Sequence, residues 1–239
     1  CPLSEAPEGK LYFLGGREEA EGFDYVARED CRINILDPHQ NHIKQFLVRS
    51  DLSQTQAISD DPLRIGYCAY HGAGRSIVPA LLREAGLAHV KPITRNGMND
   101  LDGLFPSFRS EPGKEEQPDP GDPRAAATAV ESFKEEYPGE FEKTDILIGT
   151  DPDADRCGVV VKVPEDQRFL YDGRDWLLLP ADDMWAAVLW YRLQSELGPS
   201  EKVKDAEKKF TVQSVITSDS LVQLARKHGL GVIKTWVGF

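Results

Sequence analysis

Apolar positions along the chain switch between a period of two and a period near 3.6, and the switches mark out the elements. In "DPLRIGYCAYHGAGRSIVPALLREAGLAHVKPI" a nearly unbroken apolar run over 63–69 predicts a buried strand, and Gly72 and Gly74 a turn. The spacing over 75–85 predicts a helix stopped by Gly86, and 88–93 reads as a second strand, completing a βαβ unit. The polar, Pro-rich "RNGMNDLDGLFPSFRSEPGKEEQPDP" reads as a long connection that crosses the surface near a site or is mobile. Helical spacing resumes over 122–136. "TDILIGTDPDADRCGVVVKV" then reads as a buried strand, an acidic loop and a second strand, and a hairpin-like return through "RFLYDG" leads to a helix over 174–196. "FTVQSVITSDSLVQLARKHGLGVIKTW" repeats strand, Ser/Asp cap, helix, Gly stop and strand. Upstream, "LDPHQNHIKQFLVRS" starts a short helix, with Asp37 as cap, Pro38 at the first helical position and Ile43, Phe46 and Leu47 on one face. Residues 1–35 carry no clear pattern.

The two βαβ-like stretches resemble each other. Laying "LLREAGLAHVK" (81–91) over "LARKHGLGVIK" (224–234) matches Leu81, Arg83, Gly86, Leu87 and Lys91 with their counterparts 143 residues later. Such corners also arise independently, because a helix, a Gly stop and a strand form a common unit. The fold class expected is α/β: two similarly built α/β/α layered domains with mixed sheets, the second incomplete. Charge places the boundary between them. Residues 201–239 hold seven Lys and Arg against four Asp and Glu, whereas the chain as a whole has a formal charge of −12. The expected division is a leader or linker from a preceding domain over 1–35, an α/β domain over 36–198, and the start of a following α/β domain over 199–239.

Composition narrows the partners. A charge of −12 argues against nucleic acid, whose affinity comes from Lys and Arg neutralising phosphates. The longest apolar run, "MWAAVLWY", is far short of the roughly 20 residues that span a bilayer, so no membrane span is expected. Cys1, Cys31, Cys68 and Cys157 lie far apart without a Cys-x-x-Cys, the pattern of reduced thiols in a cytoplasmic protein. "CPLSEAPEGK" lacks the parts of a signal peptide, and "GLGVIKTWVGF" stops directly after a strand; the expectation is a fragment of a longer chain.

The acidic loop carries the candidate chemistry. Asp151 lies just past the carboxyl end of an apolar strand, where open α/β sheets place ligands. Asp153 and Asp155 follow at alternate positions, and Arg156 comes next. Carboxylates about 5 Å apart repel by roughly 1 kcal/mol per pair in water and about 3 at an effective dielectric of 20, so three held together call for a cation. Oxygen-only ligands on a short loop suit a hard ion, Mg²⁺, with coordination positions left for water or phosphate. Arg156 offsets excess negative charge or holds a phosphate bidentately. The plainer alternative is a solvated acidic turn.

Rival motifs fail in whole or part. An EF-hand loop starting at Asp151 needs Gly sixth and Glu twelfth, where Arg156 and Lys162 stand. A haloacid-dehalogenase-type Asp-x-Asp-x-Thr or Asp-x-Asp-x-Val is matched only in part, because its fifth residue is Asp155. A dinucleotide fingerprint at Gly72 and Gly74 needs Gly or Ala where Ile77 stands. His71 reads as a loop residue satisfied by backbone or as a general base. His39 and His42, three apart, have no third ligand near in sequence and read as a solvated face.

Taken together, "TDPDADR" and "YHGAGRS" resemble the alpha-D-phosphohexomutases, the phosphoglucomutase and phosphomannomutase family, over roughly 36–239. In that family the loop Asp-x-Asp-x-Asp-Arg binds Mg²⁺, which carries metal roles to Asp151, Asp153 and Asp155. "HGAG", "PDPGDP" and "KTWVGF" match further family segments in order, the last placing Gly238 at substrate, with Val237 a departure from the family's Thr. The resemblance implies the second domain and the start of the third in a four-domain enzyme. It implies phosphoryl transfer between an enzyme serine and the 1- and 6-positions of a hexose phosphate, through a bisphosphate. Asp155, Arg156 and Gly238 would meet substrate, and Arg156 would stabilise the transferring charge. The family's serine loop has no match in these 239 residues, so the segment is expected to be inactive alone and to act with the remaining domains of a parent chain. Two alternatives stay open: a stand-alone Mg²⁺ or sugar-phosphate binding module, and a metal-dependent phosphatase with Asp151 as nucleophile.

Overall fold

The computed structural model describes residues 13–14, 32–33, 36–56, 58–108, 118–197 and 202–238. They fall into two compact units, 1–47 and 48–239. In the first, β1 (Phe13–Leu14) pairs in parallel with β2 (Arg32–Ile33), and α1 (Leu36–Lys44) follows. A helix is expected here, but it starts at Leu36, so Asp37 lies within its first turn and is not its cap. His39 and His42 on it are exposed and join no group of metal-ligating side chains among the described residues.

The second unit opens with α2 (Ser50–Gln56), a helix the apolar pattern does not announce because none of its residues is buried. Next come β3 (Arg64–Cys68), α3 (Gly74–Glu84) and β4 (His89–Pro92), with β3 and β4 parallel, the expected βαβ unit. α4 (Pro123–Glu136) is capped by Asp122, whose side chain accepts from the Arg124 amide, with Pro123 in the first turn. It is followed by α5 (Pro138–Phe141), β5 (Ile146–Thr150) and β6 (Cys157–Lys162). β7 (Trp176–Leu178) completes a five-stranded sheet in the order β4-β3-β5-β6-β7. β3 and β5 are parallel, whereas β5 with β6 and β6 with β7 are antiparallel, so the sheet is mixed as expected.

Alternation along β3 builds two core layers. Ile65, Tyr67 and Ala69 join Val90 on one face, against which Val78 and Leu82 of α3 pack. Cys68 and Tyr70 face the other way, into a core with Leu147, Val160 and Ala125, Ala126, Ala129 and Phe133 of α4. Helices on both faces give an α/β/α sandwich. Burying each large apolar side chain here contributes about 1.5–3 kcal/mol.

One boundary departs from expectation. Residues 174–180 are not the start of a helix: Trp176–Leu178 pair with Val160–Lys162, and α6 is confined to Ala181–Ser195. Pro180 explains the difference, since its ring disfavours helical backbone at residue 179 while suiting the residue that leads into a helix. The hairpin-like return does occur, through a 3-10 turn over Glu165–Tyr171.

After α6, β8 (Phe210–Ser214), α7 (Asp219–Lys227) and β9 (Gly231–Thr235) form a second parallel βαβ unit. Gly86 and Gly229, matched in the sequence overlay, both end their helices at positive φ, +104° and +82°. Glycine reaches that region without a Cβ clash. Leu193 of α6 packs with Val203, Ala225 and Leu230, so this helix shares its core with the residues that follow it.

Leu147 is 2% exposed and, like Phe133, packs over Gly66, where a Cβ would meet both side chains. Leu147→Ala is expected to lower the unfolding free energy by about 2–5 kcal/mol, measured by urea titration of far-UV circular dichroism.

Candidate metal centre

The acidic loop closes the β5–β6 hairpin. Thr150 and Cys157 are the last cross-strand pair, the Asp151 amide donates to the Arg156 carbonyl at 3.2 Å, and the Ala154 amide donates to the Asp151 carbonyl at 2.9 Å. Ala154 takes φ +61°, which folds the loop tightly enough to turn alternate side chains the same way. Carboxylate oxygens of Asp151, Asp153 and Asp155 accordingly lie within 4.8 Å of one another. β5 is the middle strand of five, so the loop stands at the end of the most enclosed strand.

The three carboxylates differ in setting. Asp151 is 1% exposed, while Asp153 and Asp155 are open to solvent. Both Asp151 oxygens are occupied: Oδ1 accepts from the Arg156 amide at 2.9 Å and Oδ2 from Arg156 Nε at 2.8 Å. Burial pushes the Asp151 carboxyl up, but the Arg156 amide and guanidinium together outweigh it and hold the group below the usual carboxylate range. Asp155 moves the other way, raised first by its hydrogen bond with Asp151, then by burial and by the Asp151 and Asp153 charges. Close like charges act in this direction, each carboxylate disfavouring the ionised form of its neighbour. The donor set is all hard oxygen, and each Asp151 oxygen keeps a lone pair beyond its bond to Arg156, so the residues fit a small divalent ion.

Glycine supplies the approach that holds this loop in place. A Cβ on Gly72 would lie 2.4 Å from Pro152 Cα, and the Ala73 amide donates to the Pro152 carbonyl at 2.8 Å. A Cβ on Gly74 would lie 2.5 Å from the Tyr67 hydroxyl, which hydrogen-bonds Thr150 Oγ1 at 2.7 Å. Burial pushes the Tyr67 phenol up to about 12, so it remains a neutral partner to Thr150. "HGAG" is thus a seat for the aspartate loop.

His71 belongs to the same turn, at φ +61°, and is 3% exposed. Its backbone amide donates to Met98, as expected of a loop residue, but Nε2 meets Ser107 Oγ at 3.1 Å and Nδ1 is buried without a hydrogen-bond partner. The polar connection after β4 is therefore anchored over 95–108: Met98 is fully buried and Phe108 stacks edge-on against Tyr70 at 4.8 Å. Residues 109–117 of that connection lie outside the described residues.

Arg156 does more than balance charge. Its Nη1 donates to Asp119 Oδ2 at 2.9 Å, in "PDPGDP", 37 residues away in sequence. The carboxylate set alone does not reveal Asp119; an acidic residue held between two prolines is the only signal. Gly238, at φ +93°, follows β9 with nothing within 4 Å of the direction a Cβ would take, and Val237 beside it is exposed. Cys68 and Cys157 are free thiols, while Cys1 and Cys31 lie outside the described residues. No helix among the described residues is long and apolar enough to cross a membrane.

Comparison with known proteins agrees with the fold. Residues 37–164 match the family model for phosphoglucomutase/phosphomannomutase, alpha/beta/alpha domain II. The chain is 24% identical over 214 residues to a phosphoglucomutase of Staphylococcus haemolyticus, covering 88% of this chain and 34% of that protein. A Staphylococcus aureus phosphoglucomutase is 24% identical over 209 residues, covering 86% and 30%. The fold matches a phosphoglucomutase/phosphomannomutase family protein from Burkholderia thailandensis with a TM-score of 0.55 at 17% identity, over 87% of this chain and 34% of that one. The chain thus spans about a third of the length of these relatives.

Because Gly72 abuts backbone rather than a flexible side chain, Gly72→Ala is expected to cost about 1–3 kcal/mol of stability. Amide shifts in a ¹⁵N spectrum should move most at 150–156; shifts confined to 70–75 would mean that the glycine does not support the loop.

Proposed function

Because the chain belongs to the phosphoglucomutase/phosphomannomutase family, we propose that its aspartate loop is the Mg²⁺ site of a phosphohexomutase interconverting hexose 1- and 6-phosphates through a phosphoserine and a bisphosphate. The observation that carries this reading is the meeting of three carboxylates within 4.8 Å on a loop whose fourth charged residue is an arginine. Asp151, Asp153 and Asp155 would hold the ion. The chemistry Mg²⁺ supplies when bound is polarisation of a phosphoryl oxygen.

The chain's own residues divide the remaining work. Asp151, out of water and tied to Arg156, is the fixed wall of the site, and the exposed Asp153 and Asp155 are free to close on an ion. Arg156 keeps its charge, since Asp151 first and Asp119 further on raise the guanidinium above its ordinary value. It is the candidate catalytic residue, because a planar, permanently charged donor stabilises phosphoryl charge as it shifts between oxygens. Asp155 and Arg156 line the open side of the loop, and Gly238 offers a backbone that substrate can approach without meeting a side chain. The serine nucleophile would come from polypeptide beyond these residues, a reading supported by the third of the relatives' length that the chain spans. This segment alone is then inactive.

Asp151 is poorly suited to act as a phosphatase nucleophile, being 1% exposed with both oxygens engaged. The proposal extends to a domain division near residue 199, supported by the change of charge there, with α6 packing against α7 across it. A cytoplasmic setting is part of the same reading, supported by the free thiols Cys68 and Cys157.

Calorimetric titration with Mg²⁺ or Mn²⁺ should show weak binding to this chain. Asp153→Ala should lower that affinity at least about tenfold, a loss of roughly 1.4 kcal/mol, with circular dichroism unchanged. Tight binding that survives the substitution would remove the loop as the metal site. In a chain carrying the full length of the relatives, Arg156→Gln is expected to reduce mutase kcat by about 10²–10³, read in a coupled assay. Unchanged turnover would exclude Arg156 from the chemistry.

A further inference from the structure

Arg156 is shared between two carboxylates of different kinds. Nε faces Asp151 at 2.8 Å, inside the aspartate loop, and Nη1 faces Asp119 at 2.9 Å, outside it. Nε also lies 3.5 Å from Asp155, beyond good hydrogen-bonding distance. Each of the two close bonds alone would leave the guanidinium free to swing about the other. Together they fix its plane.

Asp119 is itself rigidly placed. Its Oδ1 accepts from the Gly121 amide at 2.8 Å, its carbonyl accepts from the Asp122 amide at 2.9 Å, and the prolines on either side of it are buried. The turn is locked to the sheet at one point of close approach. A Cβ on Gly158 would lie 2.0 Å from the Pro120 carbonyl oxygen, and Gly158, in β6, is two residues beyond Arg156. Asp119 is therefore referenced to the backbone at the start of β6, next to the arginine it holds, and not to Asp153 or Asp155.

We infer that Asp119 is the positioning residue of Arg156, the anchor that keeps the guanidinium aimed when Asp151 turns to a cation. The two partners play unequal parts. A divalent ion neutralises Asp151 and weakens its hold on Nε, because the same carboxylate charge now faces a stronger, nearer positive charge. Asp119 stands outside the carboxylate cluster and keeps its charge for the arginine. Among the described residues Nη2 takes part in no hydrogen bond or ion pair, so with Nη1 held by Asp119 it is the donor left to meet a phosphate oxygen. Without Asp119, Arg156 has only Asp151 as a close partner and competes with the ion for it. This inference deepens the proposed function and rests on it for the use to which Arg156 is put, but not for the anchoring itself.

The test reads arginine side-chain signals in ¹⁵N spectra of this chain, as wild type, Asp119→Asn and Asp119→Ala. In metal-free wild type the Arg156 Nη groups should rotate slowly. Asp119→Ala should speed that rotation about fivefold, the factor that corresponds to about 1 kcal/mol for a half-exposed ion pair, while the Nε–H signal, held by Asp151, persists. Asp119→Asn, which keeps an acceptor oxygen but no charge, should fall between the two; a long-range charge effect without contact would instead make both variants alike. On adding Mg²⁺ to wild type, the Nε–H signal should shift and the slow Nη rotation should remain. Equal Nη rotation in wild type and Asp119→Ala overturns the inference, as does Mg²⁺ releasing the Nη groups. Slow rotation abolished by Asp119→Ala, with no response of any signal to Mg²⁺, supports the anchor and counts against the metal reading alone.

Discussion

A carboxylate taken almost wholly out of water must be matched by donors on both oxygens, or its burial costs more than a fold can spare. Asp151 is such a group, set at the mouth of the central strand, and the structure around it is largely the means of matching it. The amide and guanidinium of Arg156 supply the two donors, which requires the chain to reverse within four residues and come back along β6. Reversal brings Asp153 and Asp155 beside Asp151. The crowding that makes the loop a candidate cation site is thus a by-product of satisfying one buried acid.

The same constraint reaches outward. A loop that closes so tightly needs a firm floor, and the floor is backbone rather than side chain: Gly72 and Ala73 against Pro152 on one side, Pro120 against Gly158 on the other. Backbone contacts of this kind leave little room for relaxation, because there is no rotamer to change. Two segments distant in sequence, the turn before α3 and the turn before α4, are thereby referenced to the end of β5. His71 and Ser107 extend that reference to the connection after β4. Binding chemistry sits on loops, but loops whose positions are set by the sheet.

Local signals made much of the fold legible. Strand and helix at 63–93, the helix over 122–136, and the helix-Gly-strand corners at 81–91 and 224–234 depend on periodicity and on stop residues, which act within a few positions of themselves. α2 was not legible, since an exposed helix with no buried residue leaves no apolar stripe. The error at 174–180 has the same local character: the apolar spacing of "DWLLLPADDMW" fits a helix or a strand, and Pro180 was the residue that decided between them. The residues shared by α6 and α7 were hidden for another reason, because the charge change that suggests a boundary lies on the surface whereas the packing that joins the segments lies in the core.

What the sequence determined by itself was the set of groups and their spacing: three aspartates at alternate positions past an apolar strand, an arginine next to them, and glycines at a strand-to-helix turn. Spacing along a chain decides which carboxylates can converge, because a few residues of loop span only a few ångströms. It does not decide which is buried, which oxygen the arginine takes, or which distant residue reaches it. Those were settled by tertiary structure: the turn at 72–74 packs against Pro152 and Thr150, the neighbours of the buried Asp151, and Asp119 meets Arg156 where Gly158 admits Pro120 to the sheet. Contacts between segments 37 residues apart depend on the packing of backbones whose approach no single stretch of sequence encodes.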